Sequence, residues 1–489
     1  MKTTFLGQPR ALLPLFGTEL WERFSYYGIR PLLILFMTAS LISGGMGFDR
    51  PTAAAITGIF AGAVYLAALP GGWLADRVLG QARSVWWGSV LIGLGHLSIG
   101  LSVWLGHVVF FAGLGLIVLG TGLFKTCISV LVGRLYTPED PRRDGGFSIF
   151  YMGINLGAFA APLITGLLAQ QLGWHWGFAA GGVGMLIALL IYRLSGKAIF
   201  DRLADEPSQV SSRFITTAAA ILLALVLLVI VVFNLFTPVQ VVAWMTGLIV
   251  LCVAAYLAGL MIWGGLHAQD KKRVLLCGIL FVAATVFWAA NEQQPTALNL
   301  FAQDFIVRNV GGFVIPVVWF QSINPITIIL FAPLMGLLWQ RWPSQDLASY
   351  LSKFSLGLLI VAVSFGLMWL ASRQVLAGTS QVAAAWLVAT YILQAIAELC
   401  ISPVGLAAMT LLAPPRLQGQ MMGLWFIAAS LGNLLAGMVG GQVNPEALSD
   451  MPQLFGRTAI VLIVSAAVLL ALIPMIRRWL NADTHSPMV

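Results

Sequence analysis

The sequence predicts an all-α polytopic membrane protein, and three observations carry that expectation. Of 489 residues, 59% are hydrophobic and 9% charged, with a mean hydropathy of +0.92, whereas a soluble domain carries about 25% charged residues. Apolar runs long enough to cross a bilayer recur along the whole chain, bounded by Gly, Pro and charge. Lys and Arg collect in alternate loops, as insertion orientation requires.

The runs fall near 11–38, 52–75, 84–105, 107–133, 145–170 and 174–195. A polar stretch at 196–212 leads to a pair near 213–236 and 239–266. Six more lie near 273–303, 315–340, 350–372, 380–412, 417–441 and 454–480, which makes fourteen expected spans. Each approaches or exceeds the ~20 residues a helix needs to cross hydrocarbon. The middle pair is rich in Ala, Leu, Val and Ile with no central charge, which predicts a lipid-facing hairpin between two six-helix bundles. The expected divisions are 1–195, 196–272 (linker and hairpin) and 273–489. With both termini cytoplasmic, only Arg50, Arg308, Arg373 and Arg457 of the 26 Lys and Arg lie in outer loops. Arg23, Arg30 and Lys125 lie within spans, and the rest are inside. Shifting the topology by one span reverses this asymmetry.

A net charge of +8 does not indicate nucleic-acid binding, because the basic residues sit in short loops between spans. Cys127, Cys252, Cys277 and Cys400 lie in apolar segments without metal or redox spacing, so inert packing is expected. The first run is too long and too charged for a cleavable signal peptide. Neither a Ser–His–Asp set, a metal cluster nor a phosphate loop is evident, so an enzyme is not expected.

Ionisable side chains inside the runs are the informative exceptions, and Glu19, Glu22, Arg23 and Arg30 crowd the first. At about 100° per residue these four and Tyr26 share one helical face. Each charge at the bilayer centre costs about 2.5–3.5 kcal/mol on insertion scales, so it persists where it pairs, faces water or moves. An internal ion pair accounts for Glu19 or Glu22 with Arg23. It does not account for Arg30, so this face is expected to line a solvated path. Lys125 follows Gly120-Thr-Gly-Leu-Phe, glycines that admit a close partner. Glu292 precedes Pro295 and Glu398 precedes Pro403, and helix breaks are expected at both. Arg30 and Lys125 belong to the first half, Glu292 and Glu398 to the second. A ligand lodged between the halves would meet cations on one side and carboxylates on the other, which suits a zwitterion.

Gly71-Gly-Trp-Leu-Ala-Asp76-Arg77-Val-Leu-Gly80-Gln-Ala-Arg83 resembles the cytoplasmic loop signature of the major facilitator superfamily. Asp76 and Arg77 would then act as a gating latch, with Gly72 allowing close helix approach; Gln81 and Ala82 depart from its basic run. Glu19-Leu-Trp-Glu22-Arg23-Phe-Ser-Tyr26-Tyr27-Gly28 resembles the first-span motif of the proton-dependent oligopeptide transporters. Phe150-Tyr-Met-Gly-Ile-Asn155-Leu-Gly157, Phe320-Gln-Ser-Ile-Asn324-Pro325, Glu398-Leu-Cys-Ile-Ser402-Pro403 and Met422-Gly-Leu-Trp425-Phe are similar to further signatures of that family. Lys125-Thr126-Cys127 departs from its Lys-Pro-Asn. The inserted helix pair is similar to that of bacterial members.

The resemblance implies a major facilitator fold and a symporter of the bacterial inner membrane, importing di- and tripeptides with protons by alternating access. Arg30, Lys125 and Asn155 would receive the peptide carboxylate and Glu398 its amino group. Glu19, Glu22 and Arg23, coupled to Lys125, would carry proton linkage, with Glu292 a second protonation site. Tyr26, Tyr27, Tyr65, Trp288, Asn324, Ser402 and Trp425 would shape side-chain pockets. A glutamate set between burial and a guanidinium can change protonation near neutral pH, and protonating Glu19–Glu22 is expected to free Lys125 for substrate. The partners implied are peptides, protons and the lipid bilayer, without nucleic acid, metal or cofactor other than the coupling proton; a monomer is expected.

Plainer readings stand beside these. His96, without a carboxylate at helical spacing, is expected to be a satisfied packing residue, and span 2 holds Tyr65 but no His. Asn155 and Ser402 could simply bond between helices. Asn291, Gln293 and Gln294 could be partners of a local helix break. Trp288 and Trp425 lie too deep for an interfacial belt. Other solutes, such as nitrate or a drug, and a receptor that lost transport, are the alternative functions.

Overall fold

Long apolar runs with few internal charges fold as helices here because the backbone must satisfy its own polar groups within hydrocarbon. The structure is a computed structural model that describes residues 3–5, 7–137, 139–195, 203, 224, 227–229, 231–342 and 347–481. Among the described residues there are fourteen α-helices. The first six are α1 (Leu12–Thr38), α2 (Arg50–Leu74), α3 (Gln81–Leu105), α4 (His107–Gly133), α5 (Arg143–Leu172) and α6 (Trp174–Leu194). Then come α7 (Pro238–Trp263), α8 (Ala268–Asn291), the short α9 (Asn299–Phe305) and α10 (Ile323–Arg341). The last four are α11 (Leu347–Leu376), α12 (Ala385–Leu412), α13 (Gln418–Gly440) and α14 (Asp450–Asn481). Two small antiparallel hairpins complete the described structure: β1 (Thr3–Phe5) with β2 (Gln8–Pro9), and β3 (Asn309–Val310) with β4 (Phe313–Val314).

Among the described residues twelve spans are long and apolar enough to cross a membrane, so this is an integral membrane protein. The first helix has 27 residues but carries too many charges to join them. Thirteen of the expected runs thus correspond to described helices. Of the polar stretch at 196–212 only Leu203 is described; of the run at 213–236 residues 224, 227–229 and 231–236 are described, and those up to 235 are helical.

The chain divides into two compact units: Met1–Phe48 with Ala63–Val241, and Asp49–Gly62 with Val242–Val489. In the first, α1 packs on α5 and α6, and α3 runs along α4. That last contact is a close glycine approach. A Cβ on Gly88 would lie 2.6 Å from the Gly120 carbonyl oxygen, and one on Gly95 would lie 2.7 Å from that of Gly113. Small residues let the two backbones touch where the hydrophobic effect offers no drive. In the second unit, α11 packs on α14 and α12, and α8 packs on α13.

Helix α7 is buried over only 6% of its most apolar window. Arg416 clasps its end, donating to the carbonyls of Gly264 (3.1 Å) and Gly265 (3.0 Å). Its Tyr256 donates to Gln420 of α13, and Val242 packs with Ala55 and Leu434.

Two helix irregularities differ from the simple reading. Residues Ala75–Leu79 form a π-turn inside the loop signature, closed by Gly80 N–H on the Ala75 carbonyl at 2.9 Å. The close glycine there is Gly71, whose Cβ would lie 2.1 Å from the Gly122 carbonyl oxygen; Gly72 has only ordinary contact with Thr126. A second π-turn, Gln294–Leu298, follows Glu292, so the interruption expected at Pro295 is a widened turn inside one continuous span, Ala268–Phe305. No break occurs at Pro403: α12 runs through it from Ala385 to Leu412.

Candidate functional site

In the first unit the charged face of α1 is buried, with Glu19, Glu22, Arg23 and Arg30 at 4%, 1%, 5% and 8% exposure. Arg23 Nε lies 2.5 Å from Glu22 Oε2 and 3.2 Å from Glu19 Oε1, so one guanidinium holds both carboxylates. Burial removes water, and the opposite charges replace it. Two atoms of this triad, Glu19 Oε2 and Arg23 Nη2, have no hydrogen-bond partner among the described residues.

The Tyr26 ring lies between two guanidiniums, with Arg23 at 5.6 Å and Arg30 at 5.9 Å from its centre; Tyr27 meets it edge-on at 5.3 Å. Lys125 of α4 places Nζ 3.6 Å from the centre of the Tyr65 ring on α2. Among the described residues no carboxylate lies within ion-pair distance of that ammonium, so Arg23 rather than Lys125 neutralises Glu19 and Glu22 here. Asn155 is buried, and its amide donates to the Tyr151 carbonyl of its own helix at 3.0 Å. His96 is fully engaged: Nε2 pairs with Ser25 Oγ at 2.5 Å and Nδ1 with the Phe178 carbonyl at 3.3 Å. It ties α1, α3 and α6 together.

At the loop signature Asp76 and Arg77 are exposed, and buried Gln81 donates to Asp76 Oδ1 at 2.6 Å. The residue that departs from the basic run is therefore the one that bonds the signature aspartate.

In the second unit Glu398 of α12 is half-buried, and its Oε2 accepts from Asn324 (3.3 Å) and Asn291 (3.5 Å). Glu292 is buried at the end of α8. Trp288 rests on Gly432, where a Cβ would fall 2.3 Å from that of Trp288, and its buried Nε1 has no partner among the described residues. Trp425 rests on Gly405 in the same way and meets Phe354 edge-on at 6.3 Å. Both are buried, at 9% and 4% exposure. Ser402 Oγ is buried without a partner among the described residues.

The sequence marks Asn291, Gln293 and Gln294 as partners of a local helix break, but not Gln321, Tyr391 and Gln394, which complete a layer of neutral polar side chains around the π-turn. Gln321 Nε2 donates to the Gln294 carbonyl and to Tyr391 OH, both at 2.8 Å, and Tyr391 OH donates to the same carbonyl at 3.3 Å. Gln294 Nε2 donates to Gln394 Oε1 at 2.9 Å. The available signal was three glutamines inside apolar runs, one of them four residues before Glu398. Lys353 was also missed: it lies within α11, 2% exposed, with Nζ 4.6 Å from the centre of the Trp339 ring.

Comparison with known proteins identifies the family. The POT family profile matches residues 82–454. The peptide transporter YePEPT of Yersinia enterocolitica subsp. palearctica is 51% identical over 494 residues, covering 98% of this chain and 96% of its own. A di-/tripeptide transporter of Lactococcus lactis subsp. cremoris is 35% identical, covering 96% and 95%. Among solved structures, the peptide transporter POT in complex with sulfate superimposes with a TM-score of 0.89 at 36% identity, covering 97% of this chain and 96% of that one. A profile spanning most of the chain, with relatives matched nearly end to end, makes this protein a member of the POT family.

Proposed function

We propose that this protein is a proton-coupled symporter that imports di- and tripeptides by alternating access across the bacterial cytoplasmic membrane. The observation that carries the reading is opposed polarity. The first unit offers Arg30 and Lys125 as cations, and the second offers Glu398 with two amides turned onto it. A short peptide zwitterion carries a carboxylate and an ammonium, the groups that cations and a carboxylate of these kinds bind. The relatives named as peptide transporters support the same cargo.

In this reading Arg30, Lys125 and Asn155 receive the peptide carboxylate and Glu398 its ammonium. The Glu19–Glu22–Arg23 triad takes up the proton, with Glu292 as a second protonation site. Tyr26, Tyr27, Tyr65, Trp288, Asn324, Ser402 and Trp425 shape the side-chain pockets, and Asp76 and Arg77 belong to the gating loop. The proton is the coupling ion and no other cofactor takes part. Each net charge carried inward gains about 2.3 kcal/mol per 100 mV of membrane potential. The distribution of Lys and Arg supports cytoplasmic termini, and the lipid-exposed α7 supports an inserted helix pair. The functional divisions are 1–195, 196–272 and 273–489, and the protein acts as a monomer.

The test is dialanine-dependent proton entry into proteoliposomes holding the full chain, under an inward proton gradient. Dialanine-induced acidification with concentrative uptake is expected. Uptake without proton movement overturns the coupling. Nitrate-driven flux that survives Glu398→Gln unchanged overturns the cargo, because nitrate has no ammonium for that carboxylate to receive.

A further inference from the structure

We propose that Gln294, set by Gln394 and Gln321, is a positioning residue that turns Asn291 onto Glu398 and so selects peptides with a free amino terminus. The inference rests on the functional reading above, which gives Glu398 the peptide ammonium.

Pro295 has no N–H and so removes the helical donor for the Asn291 carbonyl. The helix widens in response, and Leu298 N–H bonds the Gln293 carbonyl five residues back at 3.0 Å. That turn would be soft on its own. It is held instead from two other segments, by Gln321 of the 3-10 turn Val317–Ser322 that precedes α10 and by Tyr391 of α12, which converge on the Gln294 carbonyl. Tyr391 is fully buried, as is Gln394, so these partners have no water to bond instead.

The side chain of Gln294 then decides which way Asn291 faces. Its amide has two N–H donors, and both are used: one on Gln394 Oε1 at 2.9 Å, the other on Asn291 Oδ1 at 3.3 Å. Gln394 is oriented in turn, donating to Ser364 Oγ at 3.4 Å. With its oxygen occupied by Gln294, Asn291 presents its NH2 group to Glu398 Oε2. An Asn amide has two ends of opposite hydrogen-bonding character, and a flip would aim oxygen at the carboxylate. The relay removes that flip, and with Asn324 it fixes where the Glu398 carboxylate stands.

The chain Gln394, Gln294, Asn291, Glu398 leaves α12, crosses the π-turn of α8, and returns to α12 one turn further on. It touches the carboxylate only through Asn291, so its loss is expected in ammonium recognition and not in the rest of binding.

The experiment measures uptake kinetics of dialanine, and competition by N-acetyl-dialanine, with the full chain in proteoliposomes. Gln294→Met keeps the length of the side chain and removes its donors. It is expected to raise the KM for dialanine about tenfold with little change in maximal rate, a hydrogen-bond-sized effect at a charged group. The inhibition constant of N-acetyl-dialanine, which lacks the ammonium, is expected to stay unchanged. Gln394→Met should match Gln294→Met, whereas Gln394→Glu keeps the acceptor and should stay within about twofold of wild type. Equal loss for both ligands, an unchanged dialanine KM, or identical behaviour of Gln394→Glu and Gln394→Met overturns the proposal. Failure of the wild-type protein to take up dialanine at all would overturn the functional reading itself, a result distinct from these.

Discussion

The ammonium of Lys125 lies 3.6 Å from the centre of the Tyr65 ring, on the face of an aromatic and away from the carboxylates of α1. A desolvated cation–π contact is worth about 2 kcal/mol, enough to hold a lysine that, on the proposed function, goes on to meet a substrate carboxylate. Tyr65→Leu is therefore expected to lower proton-driven dialanine uptake at least about tenfold, while Tyr65→Phe keeps the ring and most of the activity. Initial uptake rates under a fixed gradient check this. Equal activity of the Leu and Phe variants would show that the ring does not hold the lysine.

Arg23 sits between two carboxylates, and removing it leaves both buried without their cation. Arg23→Leu is expected to cost about 3–5 kcal/mol in stability, seen as a lower melting temperature in detergent. Adding Glu22→Gln should restore part of the loss, because one of the stranded charges is then gone. A drop of the same size in the double variant would mean that packing, not charge, was lost.

Glu22→Gln alone should separate coupling from binding. Concentrative, gradient-driven uptake is expected to disappear while peptide counterflow survives, since counterflow needs no net proton movement. Normal accumulation in this variant would remove Glu22 from the proton path.

Gly58 and Gly437 bring α2 and α13 together inside the second unit; a Cβ on Gly58 would lie 2.7 Å from the Gly437 Cα. Backbone cannot swing aside as a side chain can, so Gly437→Ala is expected to cost about 1–3 kcal/mol and to depress uptake. Gly100 of α3 has nothing within 4 Å of its added Cβ, so Gly100→Ala is the matched control and should be neutral or slightly stabilising. Melting temperatures of the two variants decide it.

Outside the spans, Asp140 accepts from Arg142 through the guanidinium (2.7 and 3.0 Å) and the backbone N–H (2.9 Å). Those bonds hold its carboxyl at about 2, below the ordinary value. A lowered carboxyl contributes stability above its unfolded value near 4, and that contribution disappears only as the pH falls through about 2. The loop therefore keeps its charge state throughout pH 5–8. Asp140→Asn is expected to leave the shape of the uptake–pH curve unchanged over that range, which proton-flux assays at stepped pH would show.

The spans and the charged face of α1 were readable because hydrocarbon admits few solutions and charges there stand out. The pairing of those charges was not. Glu19, Glu22, Arg23 and Lys125 allow several partnerships, and only side-chain geometry shows that Arg23 takes both carboxylates. Prolines were ambiguous for a similar reason: Pro295 opens a π-turn where Gln321 and Tyr391 can satisfy a carbonyl, while Pro403 sits within an unbroken helix. Gln321 and Gln394 escaped notice because neutral polar residues in a span carry no charge signal, although Gln394 and Glu398 share a helix face.

Helix α7 leans on the rest of its unit along a narrow strip, and its other faces are apolar and uncovered, a surface that acyl chains would cover in a bilayer. Purification exchanges those chains for detergent, and α7 is where that exchange is felt first. Arg416 and Tyr256 connect it to the helix that carries Trp425, so a micelle that fits α7 poorly pulls on that helix as well.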